Sequence, residues 1–223
     1  MKNKKYELTD ETINVYGHIL HRIKALRDFS NVKAGDLGGY IEKEYNLDHN
    51  GSCWVYDDAK VYNNAKVYDN AIVHGNAEVF GDAKVFGGAW IYGSAEVYGY
   101  AEVFGDAEVH NNAKVYDNAI VHGNAEVFGD ARVYGNAFVC GNARVCDCAR
   151  VFGNARVCGD PKAYFNTESK CNNIITTKDT SIENKDITLL FIAEIFNEWL
   201  IKTSAELNVN KDDLQKNIHK LLN

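Results

Sequence analysis

The chain has 223 residues, 46% of them hydrophobic, and sets 24 Lys and Arg against 31 Asp and Glu for a formal net charge of −7. That balance argues against a protein held to nucleic acid by bulk positive charge, and no apolar run is long enough to suggest a membrane span, so a soluble cytoplasmic protein is expected. The six cysteines, Cys53, Cys140, Cys146, Cys148, Cys158 and Cys171, form no framework of the kind small secreted domains need, and they read as reduced thiols.

Residues 1–51 do not repeat and read as an N-terminal cap. Thr12 to Tyr16 and Ile19 to Leu26, separated by Gly17-His18, predict a β-hairpin. The run Gly35-Asp36-Leu37-Gly38-Gly39 follows, its glycines suited to tight turns in an irregular first coil. Trp54 is placed to plug the open end, because a solenoid must hide its terminal strands or stack end to end.

Residues 52–163 repeat a six-residue unit, Ala-x-Val-aromatic-Gly/Asp/Asn-Asn/Asp. From Val55 to Val157 a β-branched aliphatic residue recurs at every sixth position, Val throughout except for Ile91, with no insertion or deletion. A fixed period held this long is the mark of a solenoid. In Ala77-Glu78-Val79-Phe80-Gly81-Asp82 the side chains alternate in and out as a short strand does, and the last two residues suit a bend. Three bends close a triangular coil of eighteen residues, so the eighteen hexads predict about six coils, a rod roughly 29 Å tall at a strand spacing of about 4.8 Å. A helix is excluded, since a six-residue recurrence keeps no single apolar face at a 3.6-residue period.

An aliphatic residue followed four positions later by a small one, as in Val79 and Ala83, resembles the left-handed parallel β-helix of hexapeptide-repeat proteins. The Gly-Asp-Leu-Gly-Gly run with Trp54-Val55 is similar to the opening of a group of bacterial and phage hexapeptide-repeat proteins of unassigned activity. The resemblance implies the fold. It does not select a function, because that fold serves acyltransferases, one class of carbonic anhydrases and proteins with neither activity.

Beyond Pro161, residues 164–185 are polar and read as a linker, and residues 186–223 as a helical tail. Its apolar residues, Phe191, Phe196 and Trp199 among them, predict a lid on the last coil or a contact with another chain.

Residues eighteen apart share a face, which sorts the outward aromatic positions into three columns. One is aromatic throughout: Tyr62, Phe80, Tyr98, Tyr116, Tyr134 and Phe152. A stripe of six rings is more than a soluble monomer usually leaves bare, and it predicts a protein-binding or oligomer-forming surface. Charge is also polarised. Acidic residues outnumber lysines up to Ala131, with Glu78, Glu96, Glu102 and Glu108 read as an acidic partner-binding face, and arginines dominate from Arg132 onward. Residues 63–83 recur identically as residues 111–131, a shift of eight hexads that moves each copied residue to a different face.

No catalytic, metal or cofactor site is expected. Hexapeptide acyltransferases use a histidine as general base beside a loop that leaves the coil, whereas no loop interrupts the coils around His74, His110 and His122. His74 and His110 repeat a two-coil spacing similar to that of zinc ligands in γ-class carbonic anhydrases. They stand about 9.6 Å apart by stacking, and Val115 occupies the place of the third histidine. Cys140 and Cys158 stack on one face, Cys146 on another, and Cys148 sits in a turn, so no cysteine cluster forms. The predicted function is a non-enzymatic protein-binding β-helix, in its sharper form an acidic inhibitor of a nucleic-acid-handling defence complex. Its partner would be another protein or a second copy, with no membrane and no nucleic acid bound directly over the acidic coils. The alternatives are a hexapeptide-type acyltransferase and a self-assembling structural protein.

Overall fold

The computed structural model describes residues 4–159, together with the backbone of strands at residues 162–163, 174–177 and 181–183. The chain divides into two compact units, Met1–Lys185 and Asp186–Asn223. The second unit, with the helical tail expected there and its Phe191, Phe196 and Trp199, lies outside the described residues.

Each hexad forms one short strand whose Val points inward, as at Lys60–Val61 and Glu78–Val79. Between Ala59 and Val157 the inward Val, Ile and Ala side chains are almost wholly shielded from water and make a continuous core. The fifth residue of every hexad from Asp57 to Gly159 has positive φ and is always Gly, Asn or Asp. One left-handed residue per hexad turns the chain, and these three residue types adopt it at least cost. Amides in each coil donate to carbonyls seventeen residues ahead, for example Lys60 to Ala77, Tyr62 to Val79 and Asn64 to Gly81. The result is an all-β solenoid of parallel strands.

Its three walls are best followed by their strands. Wall one stacks Lys60–Val61, Glu78–Val79, Glu96–Val97, Lys114–Val115, Arg132–Val133, Arg150–Gly153 and Ile174–Thr177. Wall two runs from Trp54–Val55 through Trp90–Ile91 to Lys162–Ala163, and wall three from Lys66–Val67 through Glu102–Val103 to Ser181–Glu183. Among the described residues each wall has seven rungs, one more than the hexad count predicts. The additional rungs at Ile174–Thr177 and Ser181–Glu183 pair in parallel with Arg150–Gly153 and Arg156–Cys158, inside the stretch expected to be a linker. They escape the sequence pattern because a parallel ladder needs only backbone groups, and the six-residue spacing is lost after Ala163.

The N-terminal cap closes the lower end. β1 (Tyr6–Val15) and β2 (His18–Ala25) form the expected hairpin, with Tyr16 and Gly17 both at positive φ in its two-residue turn. β3 (Leu37–Ile41) pairs antiparallel with β2 and parallel with Lys60–Val61, so the cap extends wall one into a ten-stranded sheet. Gly38 and Gly39 lie inside β3 rather than in turns, which corrects the expectation for them. A Cβ on Gly38 would meet the Val55 carbonyl oxygen at 2.6 Å, and one on Gly39 the Ala59 carbonyl oxygen at 2.5 Å. They are needed for close approach of the cap to the first coil. Gly35, at φ +97°, is the turn residue. Trp54 is buried, with its ring against Phe29 and Tyr6 at 5.2 and 6.1 Å, and so plugs the lower end.

Candidate binding surfaces

The rung spacing dictates the outer surface. Identical rotamers on successive strands place flat rings parallel at almost the strand separation. On wall one the ring centroids of Tyr62, Phe80, Tyr98, Tyr116, Tyr134 and Phe152 follow one another at 4.8 to 5.0 Å and lie within 6° of parallel. All six expected ladder residues are therefore brought together. They are not equally available. Tyr62 is buried in a cluster with Leu20 and Tyr40, against which Ile13, Val15 and Phe80 pack, and it donates a hydrogen bond to Glu78 Oε2 at 3.1 Å. Phe80, Tyr98, Tyr116, Tyr134 and Phe152 are half-buried. Burial raises the phenol pKa of both Tyr98 and Tyr116.

Wall two stacks His74, Tyr92, His110 and Phe128 at 4.6 to 5.0 Å, with buried Cys146 above them. Burial pushes the Cys146 thiol up to about 11, with the Asp147 carboxylate adding to the shift. Tyr92 donates to Glu108 Oε2 at 2.9 Å, and burial with that bond pushes its pKa up to about 12. Wall three stacks Tyr68, Phe86, Phe104 and His122 at 4.7 to 4.9 Å, and its column ends in Cys140 and Cys158. These two cysteines form a disulfide, which corrects the expectation of reduced thiols. Their Cα atoms stand 4.6 Å apart because they occupy the same position in adjacent coils, a separation within the range a disulfide spans.

The four carboxylates expected to make one acidic face do not share one. Glu78 and Glu96 are neighbours on wall one, Glu102 is on wall three and Glu108 on wall two, since residues six apart fall on successive walls. Three of them hold a lysine from an adjacent coil: Lys60–Glu78 at 3.0 Å, Lys114–Glu96 at 2.7 Å and Lys84–Glu102 at 2.8 Å. Arg144–Glu126 repeats the arrangement on wall two at 2.8 Å. Glu108 on wall two has no cation partner among the described residues, and at the corners Asp57 and Asp117 accept from the Gly75 and Gly135 amides of the next coil.

The three solenoid histidines are members of ring columns. His110 lies between Tyr92 and Phe128, both within 2° of parallel, and His74 faces Tyr92. His122 stacks on Phe104 and meets Phe138 edge-on at 4.9 Å, and burial, then the Arg156 charge, lowers its pKa. Among the described residues no group of three or more His, Cys, Asp or Glu side chains is arranged to hold a metal ion, and no helix is long and apolar enough to cross a membrane.

Two features were not singled out from the sequence. Trp90 on wall two is 46% exposed and meets His74 edge-on at 6.4 Å. With Tyr56, Ile72, His74 and Tyr92 it forms a patch without formal charge. The available signal was Trp and Ile at hexad positions otherwise filled mainly by Glu, Lys or Arg. In the cap, Lys5 is wholly buried. Its Nζ donates to the Cys53 carbonyl at 2.7 Å, lies 3.1 Å from Cys53 Sγ and stands over the Phe29 ring. Burial lowers the Lys5 pKa and raises that of Cys53.

No family model matches this chain. A 43-residue segment is 42% identical to an uncharacterized acetyltransferase of Escherichia coli strain K12, YdcK. That segment is 19% of this chain and spans 13% of the length of the relative. The similarity accords with a hexapeptide-repeat solenoid and covers too little of either protein to assign a family.

Proposed function

We propose that this protein is a non-enzymatic, cytoplasmic binding scaffold that docks another protein surface on wall one of a left-handed parallel β-helix. The observation that carries the reading is the unbroken column of half-buried rings from Phe80 to Phe152, fixed at the rung spacing. Rigid aromatic side chains supply contact area with little conformational entropy left to lose, which favours them at protein interfaces. The acidic-inhibitor form of the reading needs carboxylates along one wall. Their spread over three walls, and the lysines that hold three of the four, remove that support.

Tyr98→Glu combined with Tyr116→Glu tests the proposal. The double variant is expected to keep its fold and to lose both self-association and captured partners. Unchanged oligomeric mass together with unchanged partner binding overturns it.

A second reading, acyl transfer, is favoured by the short similarity to YdcK. Its observable is saturable turnover of acetyl-CoA that disappears in His110→Ala or His122→Ala. Turnover surviving both substitutions removes the histidines from it.

A further inference from the structure

The aromatic column of wall one is flanked by a second column, Lys60, Glu78, Glu96, Lys114, Arg132 and Arg150, with one charge per coil. Above Lys60 its sign changes once, midway up. Glu78 and Glu96 stand in adjacent coils below the midpoint, while Lys114, Arg132 and Arg150 follow one another above it. The two acids have cations within the chain, Lys60 and Lys114. Arg132 and Arg150 are exposed and in register on neighbouring strands. Among the described residues neither has a carboxylate within salt-bridge distance. Like charges set opposite each other on adjacent strands repel. A partner suited to this wall brings carboxylates to its upper half and cations to its lower half, on either side of an uncharged aromatic stripe.

Wall one turned end over end has that pattern. A two-fold axis lying in the plane of the contact, perpendicular to the rod and passing between the coils of Glu96 and Lys114, sets Glu96 against Lys114 of a second copy and Glu78 against its Arg132. Tyr98 then meets Tyr116, and Phe80 meets Tyr134. Resting on the reading of wall one as a protein-docking surface, we propose that its occupant is a second copy of this chain, packed wall to wall with the two rods antiparallel. Stacked sheets lie about 10 Å apart, a gap that Glu and Arg side chains bridge from opposite sides. The two-fold makes every cross-copy contact twice. Rods packed in parallel would instead put Glu78 against Glu78 and Arg132 against Arg132. The outermost antiparallel pair, Lys60 against Arg150, is like-charged, but Lys60 is already held by Glu78 at 3.0 Å. The contact is narrow, at the small end of stable interfaces, so the association is weak and salt-sensitive.

Sedimentation velocity of the full chain from about 1 to about 200 µM at low ionic strength is expected to show a monomer–dimer equilibrium. The dissociation constant should rise at least about tenfold in high salt. Glu78→Lys with Glu96→Lys makes the column wholly cationic, and Lys114→Glu with Arg132→Glu makes all but its two ends anionic. Each variant alone should be monomeric, and an equimolar mixture should dimerise. A chain carrying all four reversals should dimerise by itself. Far-UV circular dichroism and melting establish that each is folded. Arg132→Glu, which breaks no ion pair among the described residues, supplies the same test should the others fail to fold, and it should weaken the dimer at least tenfold. A monomer at every concentration, a trimer, or a dimer indifferent to Arg132→Glu overturns the inference. In the first of these cases the docking reading survives if the Tyr98→Glu, Tyr116→Glu chain loses a protein that the unaltered chain retains, and falls if it does not.

Discussion

His122 is the histidine whose surroundings most clearly oppose protonation, since it is stacked on Phe104, edge-on to Phe138 and beside Arg156. Its folded pKa lies below the ordinary histidine value of about 6.5, so the unfolded chain takes up the proton first. Stability from this group is therefore complete above that value and is lost as the pH falls below it toward the folded pKa. His122→Phe keeps the ring column and removes the titration, so urea midpoints of the variant should fall less than those of the parent between pH 7.5 and 5.5. An equal fall would detach His122 from the acid sensitivity. A steric prediction belongs to Gly39. A methyl group there meets the Ala59 carbonyl at 2.5 Å and Val55 Cγ1 at 2.7 Å, both in the first coil. Gly39→Ala should destabilise the protein by about 1–3 kcal/mol through overpacking, measured by urea unfolding, whereas Gly17→Ala meets no atom within 4 Å and is opposed only by its positive φ.

Among the elements, the short strands were the most legible, because an inward Val and Ala in each hexad leave one arrangement that buries both. The columns followed from the same arithmetic: adding eighteen to Tyr62 reaches Phe80, and the rings do stack. What the period does not contain is the choice between neighbours. Glu96 can face Lys114 above or Glu78 below, and it pairs with Lys114, while Lys84 pairs with Glu102. Nor does it reveal burial by something outside the repeat, which is why Tyr62 disappears beneath the hairpin while Tyr98 stays half open. The cysteines lie between these cases. Their stacking was readable and their bond was not, because the period fixes the separation and leaves the oxidation state open. A bond closing eighteen residues contributes roughly 3 kcal/mol in the chain-entropy view, here to the uppermost coils. Alkylation of the denatured protein should label two fewer cysteines without reductant than with it. Hydrogen exchange after reduction should quicken around Val139 and Val157 and leave Val61 unchanged. Full labelling without reductant would show that the stacked pair is two thiols.

For the whole molecule, fold and surface are separable properties of one repeat. Nearly every hexad supplies the same inward Val and Ala, and all have the same left-handed corner, so the core is indifferent to which hexad occupies which wall. The outer columns depend entirely on that choice. The duplicated stretch illustrates it: Ile72 lies on wall two and its copy Ile120 on wall three, and both are accommodated in their ladders. Removing residues 93–110 takes out one whole coil and leaves every remaining residue on its wall. Removing residues 93–98 takes out one hexad and carries Tyr116, Tyr134 and their neighbours round to wall two, away from Phe80. Both shortened chains should fold cooperatively with similar β-sheet circular dichroism, since nearest-neighbour stacking is kept in each. Only the chain lacking a whole coil should retain association through wall one, weakened by the loss of Glu96, because it alone keeps Glu78 in line with Lys114, Arg132 and the ring column. Loss of folding in the six-residue deletion would mean that wall identity matters to the core and would bind fold and surface together. Association kept in both would move the docking surface from wall one to one that the deletion does not disturb, such as the neutral patch around Trp90.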